Sequence, residues 1–249
     1  MPLTGTLDVR PGEADLPLVV PSGEEPWQLE RVAQLQLLYE IDDAAMLSLI
    51  PPALHPTIPP TVFVNVLKVP DSPVGPFTLA QVRIGCRSAA RPRAFLRRAY
   101  CDSQAAVEVL RERWGYPAAP GAVRLEKRHY EVVAEVDVAG TRILEGRMLS
   151  PEAISGGDVQ YISNVNLARI ERDGATLTRL IQVDPDFVFH SAERGQPVVD
   201  RLDPDAWQLP GAKPVFPVSA SYAVADIQMP HLRYLVDPQK RPMEAVERI

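Results

Sequence analysis

Residues 99–121 read AYCDSQAAVEVLRERWGYPAAPG, the one stretch of the chain whose punctuation is clear at both ends. An apolar strand end, Ala99-Tyr100-Cys101, runs into Asp102 and Ser103. Either offers a side-chain oxygen to the unpaired N–H groups of a helix start. Ala106, Val107, Val109, Leu110 and Trp114 then share one helical face, and Gly115 stops the helix. Tyr116-Pro117 returns the chain to an extended path, since proline fixes φ and removes a donor.

Outward from this stretch the pattern is strand. FTLAQVRIGCRS (77–88) and AFLRRAYCD (94–102) read as a hairpin joined by AARPR, and TVFVNVLKV (61–69) is apolar on both faces. PDSPVGP after it is a loop. Residues 33–41 alternate, with Leu35, Leu37, Tyr39 and Ile41 on one side and Gln34, Gln36 and Glu40 on the other, which predicts a half-buried strand. Asp42 caps a short helix, AAMLSLI, that Pro51-Pro52 ends. Downstream come RHYEVVAEVDV, a turn at Ala139-Gly140, TRILEGRML, QYISNVNLARI, a turn at Asp173-Gly174, TLTRLIQVDPDFVF and a last strand, PVSASYAVADIQM. Glycine at tight turns, few helices and no repeat predict an α+β fold of mostly antiparallel β with a few short helices. Residues 1–30, rich in Pro, Gly and Glu, read as an N-terminal arm pinned at its end by Trp27, and residues 31–249 as one domain.

The 249 residues are 46% hydrophobic, enough for a core that removes roughly 70–75% of the unfolded surface from water without a disulfide or metal staple. A balance of 26 cations against 32 anions argues against a nucleic-acid partner, which needs clustered excess positive charge. No apolar run is long enough to cross a membrane, and the N-terminus lacks the basic start and apolar block of a secretion signal, so the expected location is cytoplasmic. Cys86 and Cys101 read as buried free thiols.

The familiar catalytic signatures GxSxG, HExxH, the P-loop and GxGxxG are absent. His55, His129, His190 and His231 stand far apart, so neither a metal nor another cofactor is expected. Arg83, Arg87, Arg91, Arg93, Arg97 and Arg98 cluster on the hairpin. They read either as a solvated edge or as a source of one or two guanidinium groups that clamp a substrate carboxylate.

At 99–121 the chain resembles the acetoacetate decarboxylase family: a strand ending in tyrosine and an acidic residue, a helix with an Arg-Glu pair, then Tyr-Pro. The likeness runs from about Tyr39 through Asp71, Gly75, Phe77 and Thr78 to Gly121, and resumes in PVSASYAVADIQMP. It implies antiparallel sheet wrapped as a cone or barrel around an apolar cavity, in a chain that assembles with copies of itself. It also implies chemistry on a keto acid through a lysine imine, the amine being kept neutral by a neighbouring cation, for which acetoacetate decarboxylase is the standard example. This sequence departs from that pattern where the chemistry sits. The family's two lysines after Tyr-Pro fall on Ala118 and Ala119, its pocket glutamates on Leu79 and Val64, and its N-terminal arginine near Val32, beside Arg31.

The expectation is therefore an enzyme on a keto or polyketide-like substrate that works by non-covalent acid–base chemistry: dehydration, cyclisation, retro-aldol cleavage or decarboxylation. Arg98 or Arg83 would stabilise an enolate oxygen, Glu145 in RILEGRM would act as base, and Tyr116 or Tyr130 would donate a proton or orient the substrate. Val64, Leu79, Ala118 and Ala119 would line the cavity. His129 and His190 rank behind Glu145 as bases. Two alternatives stay open: a hydrophobic binding protein without turnover, and an imine on a relocated lysine, Lys68.

Overall fold

The computed structural model describes residues 3–9, 15–20, 25–172 and 174–248. Strand β1 (Leu18–Val19) precedes the long β2 (Gln28–Ile41), helix α1 (Asp43–Leu49) and β3 (Leu54–Pro56). Strands β4 (Thr61–Val69), β5 (Phe77–Ser88) and β6 (Arg91–Cys101) form a meander, and helix α2 (Gln104–Trp114) leads into β7 (Ala118–Pro120). The rest is β8 (Ala122–Lys127), β9 (Glu131–Val138), β10 (Thr141–Ile154), β11 (Asn164–Arg172), β12 (Ala175–Val183), β13 (Asp186–Leu202), β14 (Pro214–Gln228), β15 (Tyr234–Val236) and β16 (Val246–Arg248).

These strands join in one mostly antiparallel sheet whose path runs β16-β15-β12-β11-β6-β5-β4-β2-β14-β13-β10-β9-β8, with β1, β3 and β7 paired beside it. Mostly antiparallel β with a few short helices is as expected, and the expected cone or barrel is not closed by a ladder. Strand β8 pairs with β9 alone and packs across β4, β5 and β6 without a ladder, so the sheet curls back on itself through side chains instead of hydrogen bonds.

Curling buries both faces of the central strands, and their sequences are accordingly near-continuous apolar runs. Alternate residues feed separate clusters. Val62, Val64, Val66, Ala80, Val82 and Ile84 join one; Val69, Phe77 and Leu79 join the other, which α2 covers through Ala106, Val107, Leu110 and Trp114. Trp27 is buried edge-on against Trp114, ring centroids 5.2 Å apart, and Leu18–Val19 pairs with β11, so described parts of residues 1–30 belong to the sheet.

Helix α2 starts on Ser103, whose Oγ accepts from the Ala106 N–H, while the Asp102 carboxylate accepts from the Thr78 N–H at 2.6 Å and ties the helix start to β5. It ends at Gly115 with φ 65°, whose N–H donates to the Arg111 carbonyl. Glycine is required there twice over, because a Cβ would also meet the Ala168 side chain at 2.7 Å. The turn at Ala139-Gly140 has positive φ at both residues, as a two-residue hairpin demands. Of the turn expected at Asp173-Gly174, Asp173 lies outside the described residues.

Three expected boundaries move. His129 and Tyr130 lie in a bend between β8 and β9, not in a strand. Asp184-Pro185 splits the expected strand 176–189 into β12 and β13, since proline cannot donate to a ladder. Strand β2 begins at Gln28, and its polar side is not solvated: Gln34 and Gln36 are 5% and 6% exposed.

Candidate functional site

Of those two buried glutamines, Gln36 faces an amide on the neighbouring strand. Gln36 stands opposite Asn65 of β4, and Asn65 opposite Gln81 of β5, so three strands set an amide row across one face of the sheet. Two residues beyond Gln81, and therefore on the same face, Arg83 points into the interior with 3% exposure. Its Nε and Nη2 donate to Asn65 Oδ1, at 3.1 and 2.5 Å, and Nη2 also to Gln36 Oε1 at 3.3 Å. Its Nη1 donates to the Ile162 carbonyl and to Asn164 Oδ1 of β11, each at 2.7 Å. The Phe63 ring lies against the guanidinium, 5.4 Å from its carbon.

All five N–H donors are thus used on neutral oxygens, and among the described residues no carboxylate forms an ion pair with Arg83. A charge taken out of water without a counter-ion costs several kcal/mol by order of magnitude. Burial accordingly pulls the guanidinium pKa down to about 10, with Tyr116 and Tyr161 acting in the opposite direction. At neutral pH the group is still a cation.

Tyr116 follows the glycine stop of α2 and is 5% exposed. Its hydroxyl accepts from Asn164 Nδ2 at 3.1 Å, and the same amide group donates to Gln81 Oε1. Burial pushes the phenol up to about 12, while Arg83 and the Asn164 bond pull it down. Tyr161, also pushed up chiefly by burial, donates to the Gln34 carbonyl at 3.4 Å. The side-chain Oε1 of Gln34 is buried without a partner.

These groups line a cavity of about 60 Å³ whose other walls are apolar, among them Trp27, Leu29, Leu79, Leu110, Phe187 and Met229. By the space one water needs, that volume admits on the order of five water-sized occupants, the scale of a small acid and well short of a polyketide. Its half-exposed lining residues are Leu67 and the group Tyr161, Ile162, Ser163, Pro185 and Phe187, so the latter group forms the mouth. No Asp, Glu, His, Cys or Lys lines it, and among the described residues no cluster of three such metal-binding side chains occurs anywhere.

Of the residues singled out from sequence, Arg83, Tyr116 and Leu79 meet in this cavity. Ala118 is buried in the adjoining apolar cluster with Leu79 and Tyr116. Strand alternation sends Ala119 to the other cluster, and Val64 likewise packs on the far face of β4. Arg98 lies over the Tyr100 ring and borders an outer cleft with Ala119, because the register pairs it with Val82, on the other face of β5 from Arg83. Glu145 is half-buried on β10 between Glu135 and Arg201 of its neighbouring strands, away from the cavity. Tyr130 is 77% exposed, edge-on to His129, and His190 pairs with Asp226 at 2.8 Å.

Lys68 is exposed, on the side of β4 opposite to the cavity-lining Leu67 and Val69, and Lys127, Lys213 and Lys240 are exposed too. The relocated-lysine alternative therefore has no amine in the cavity. Arg31 is exposed, its backbone N–H donating to Asp226 and its φ at 55°, while Val32 fills the interior.

The residues missed by sequence reasoning are the amides Gln34, Gln36, Asn65, Gln81 and Asn164, and Tyr161. The available signal was an uncharged amide recurring at two-residue spacing, or standing alone as in TVFVNVLKV, inside otherwise apolar strands.

Comparison with known proteins gives a consistent result. The profile of a family described as acetoacetate decarboxylase matches residues 15–238. A search of curated proteins gave no match. Among solved structures, one of acetoacetate decarboxylase superposes with a TM-score of 0.75 at 22% identity, covering 84% of this chain and 88% of that one. Acetoacetate decarboxylase from Legionella pneumophila gives 0.73 at 19% identity, over 83% and 86%. The enduracididine biosynthesis enzyme MppR, complexed with the condensation product of pyruvate and imidazole 4-carboxaldehyde, gives 0.71 at 14% identity, over 88% and 92%.

Proposed function

The chain belongs to the acetoacetate decarboxylase family, and from that premise we propose that its cavity takes a small keto acid and carries it through an enolate without a covalent link to the protein. One observation carries this reading: a buried guanidinium with no carboxylate partner at the polar end of an apolar cavity. A keto acid anion supplies the missing negative charge.

The geometry favours decarboxylation of a β-keto acid over the other lyase reactions considered. Loss of CO2 leaves the bonding electrons on the enolate and needs no base, and no carboxylate or histidine lines the cavity. Arg83 stabilises the developing oxyanion through its field and through the amides it polarises. Tyr116, held as a neutral phenol, gives its proton to the enolate carbon and recovers one from solvent, and the apolar walls disfavour the solvated carboxylate.

The test is CO2 release from a panel of short β-keto acids. Wild type should turn over at least one of them, Arg83→Met none, and borohydride should leave wild-type activity and intact mass unchanged. A second reading, a binding protein for small keto acids, is favoured by the lack of any lining group that titrates near neutrality. Tight binding without turnover in the same assay would select it.

We also propose that the protein works in the cytoplasm as a homo-oligomer. The two free buried thiols support the first part, and an exposed apolar strip on β14 supports the second.

A further inference from the structure

A second concavity, a cleft of about 530 Å³, adjoins the mouth of the keto-acid cavity and shares Ser163 and Pro185 with it. Its character is opposite. Arg91, Arg93, Arg233 and His231 line it, against Asp184 and Asp186. Arg93 is 7% exposed and holds Asp184 at 2.9 Å, yet its Nε is buried without a partner. Arg91 sits close enough to Arg93 to depress its proton affinity, and neither Arg91 nor Arg233 forms an ion pair among the described residues. Three guanidinium groups thus share a cleft in which one carboxylate is engaged.

The inner cavity is too small for more than the reacting head of a substrate, so anything larger must leave through Ser163 and Pro185 into this cleft. We propose that the cleft is a subsite for a second anionic group, a carboxylate or a phosphate, carried on the tail of the substrate and seated among Arg91, Arg93 and Arg233. The substrate class is then a keto acid with two negative ends: one faces the Arg83 network, the other the arginines at the mouth. This rests on the keto-acid reading of the inner cavity and adds the second end.

The test is calorimetric binding of alpha-ketovalerate, alpha-ketoglutarate and a keto acid of similar length ending in a phosphate ester, to wild type and to the double variant Arg91→Glu with Arg233→Glu. Both arginines are exposed and outside the inner cavity, so the variant should fold, which a thermal melt checks. Wild type should favour a doubly charged ligand over alpha-ketovalerate by about tenfold or more, as expected of charge-assisted hydrogen bonds. That preference should shrink with added salt. In the variant it should vanish while alpha-ketovalerate binding holds. Whichever doubly charged ligand binds tighter names the source of the anion. No preference in wild type, or one that survives charge reversal, overturns the subsite while leaving the inner cavity standing. Failure of all three ligands while a short β-keto acid still binds overturns the subsite alone, and failure of the β-keto acids as well overturns both.

Discussion

The Arg83 guanidinium reaches the Tyr116 hydroxyl through a single intermediary, the side-chain amide of Asn164. That amide accepts from Arg83 at 2.7 Å with its oxygen and donates to the phenol at 3.1 Å with its nitrogen. Because the phenol oxygen is an acceptor in this bond, its own proton is left for another acceptor. The cation thereby strengthens the amide as a donor and the phenol as an acid. Asn164→Asp keeps the acceptor, removes the donor and gives Arg83 a counter-ion. Keto-acid affinity should fall by about tenfold or more, while the melting temperature holds or rises. Unchanged affinity in a titration would show that the charge of Arg83 is not what draws the ligand.

Tyr116→Phe separates binding from proton transfer. It removes one hydroxyl from a side chain that is otherwise packed, so affinity should stay within about threefold while turnover drops by roughly 10²–10⁴, the usual worth of a positioned proton donor. The pH profile follows from the two buried groups. Arg83, brought down to about 10, loses its proton before Tyr116, raised to about 12. As pH rises, kcat/KM should be flat through neutrality and fall near pH 10, with no descending limb near 7 because no lining residue titrates there. A bell centred near neutrality would point to a carboxylate or histidine that this cavity does not contain.

Much of this was legible in the sequence because it rests on local chemistry. Ser103, Gly115 and Pro117 announce the helix and its exit, and with them the placement of Tyr116. The apolar runs of β4 and β5 announce a sheet covered on both faces. What stayed hidden is long-range. Gln36, Asn65 and Asn164 come together only through strand pairings 29 to more than 80 residues apart, and an amide in a strand reads the same whether it meets water or a buried guanidinium. Arg98 and Glu145 look as suitable as Arg83 until the strand registers decide which face each takes.

The two alanines after Tyr-Pro are not equivalent. Ala118 packs in the cluster that walls the cavity, whereas Ala119 turns to the opposite one. Ala118→Lys should place an amine next to Tyr116 and Leu79, in surroundings that keep it neutral, and should gain a borohydride-trapped adduct with a keto acid, seen by intact mass. Overpacking should destabilise it by about 1–3 kcal/mol. Ala119→Lys should gain no adduct, and wild type should show none. Trapping in both variants, or in wild type, would contradict the strand alternation argued here.

Gln34 offers the opposite trade between stability and binding. Its Oε1 is buried beside the cavity without a hydrogen-bond partner, a condition that costs about 1–3 kcal/mol in an empty site. Gln34→Met fills similar volume and removes the orphan, so the unfolding midpoint in urea should hold or rise. Affinity for any ligand that donates to that oxygen should fall. Loss of stability with unchanged binding would mark Gln34 as structural.

The first part of β14 supplies the surface for self-association. Val215, Phe216 and Val218 are 67%, 59% and 46% exposed, three large apolar side chains within four residues. Single exposed apolar residues are ordinary, but a contiguous strip is the mark of a contact surface. Residues 214–219 pair with β2 alone, so their outer edge is free, yet Pro214 and Pro217 remove two of its donors and discourage extension of the sheet. Contact should therefore come through the side chains. Phe216→Glu sets a charge in the middle of the strip without touching the cavity. Light scattering coupled to size exclusion should show wild type at a multiple of its 27.5 kDa chain and the variant shifted toward one chain, with the melting temperature of the monomeric fold retained. A wild type that elutes as a single chain, or a variant of unchanged mass, would assign those exposed side chains to some other contact.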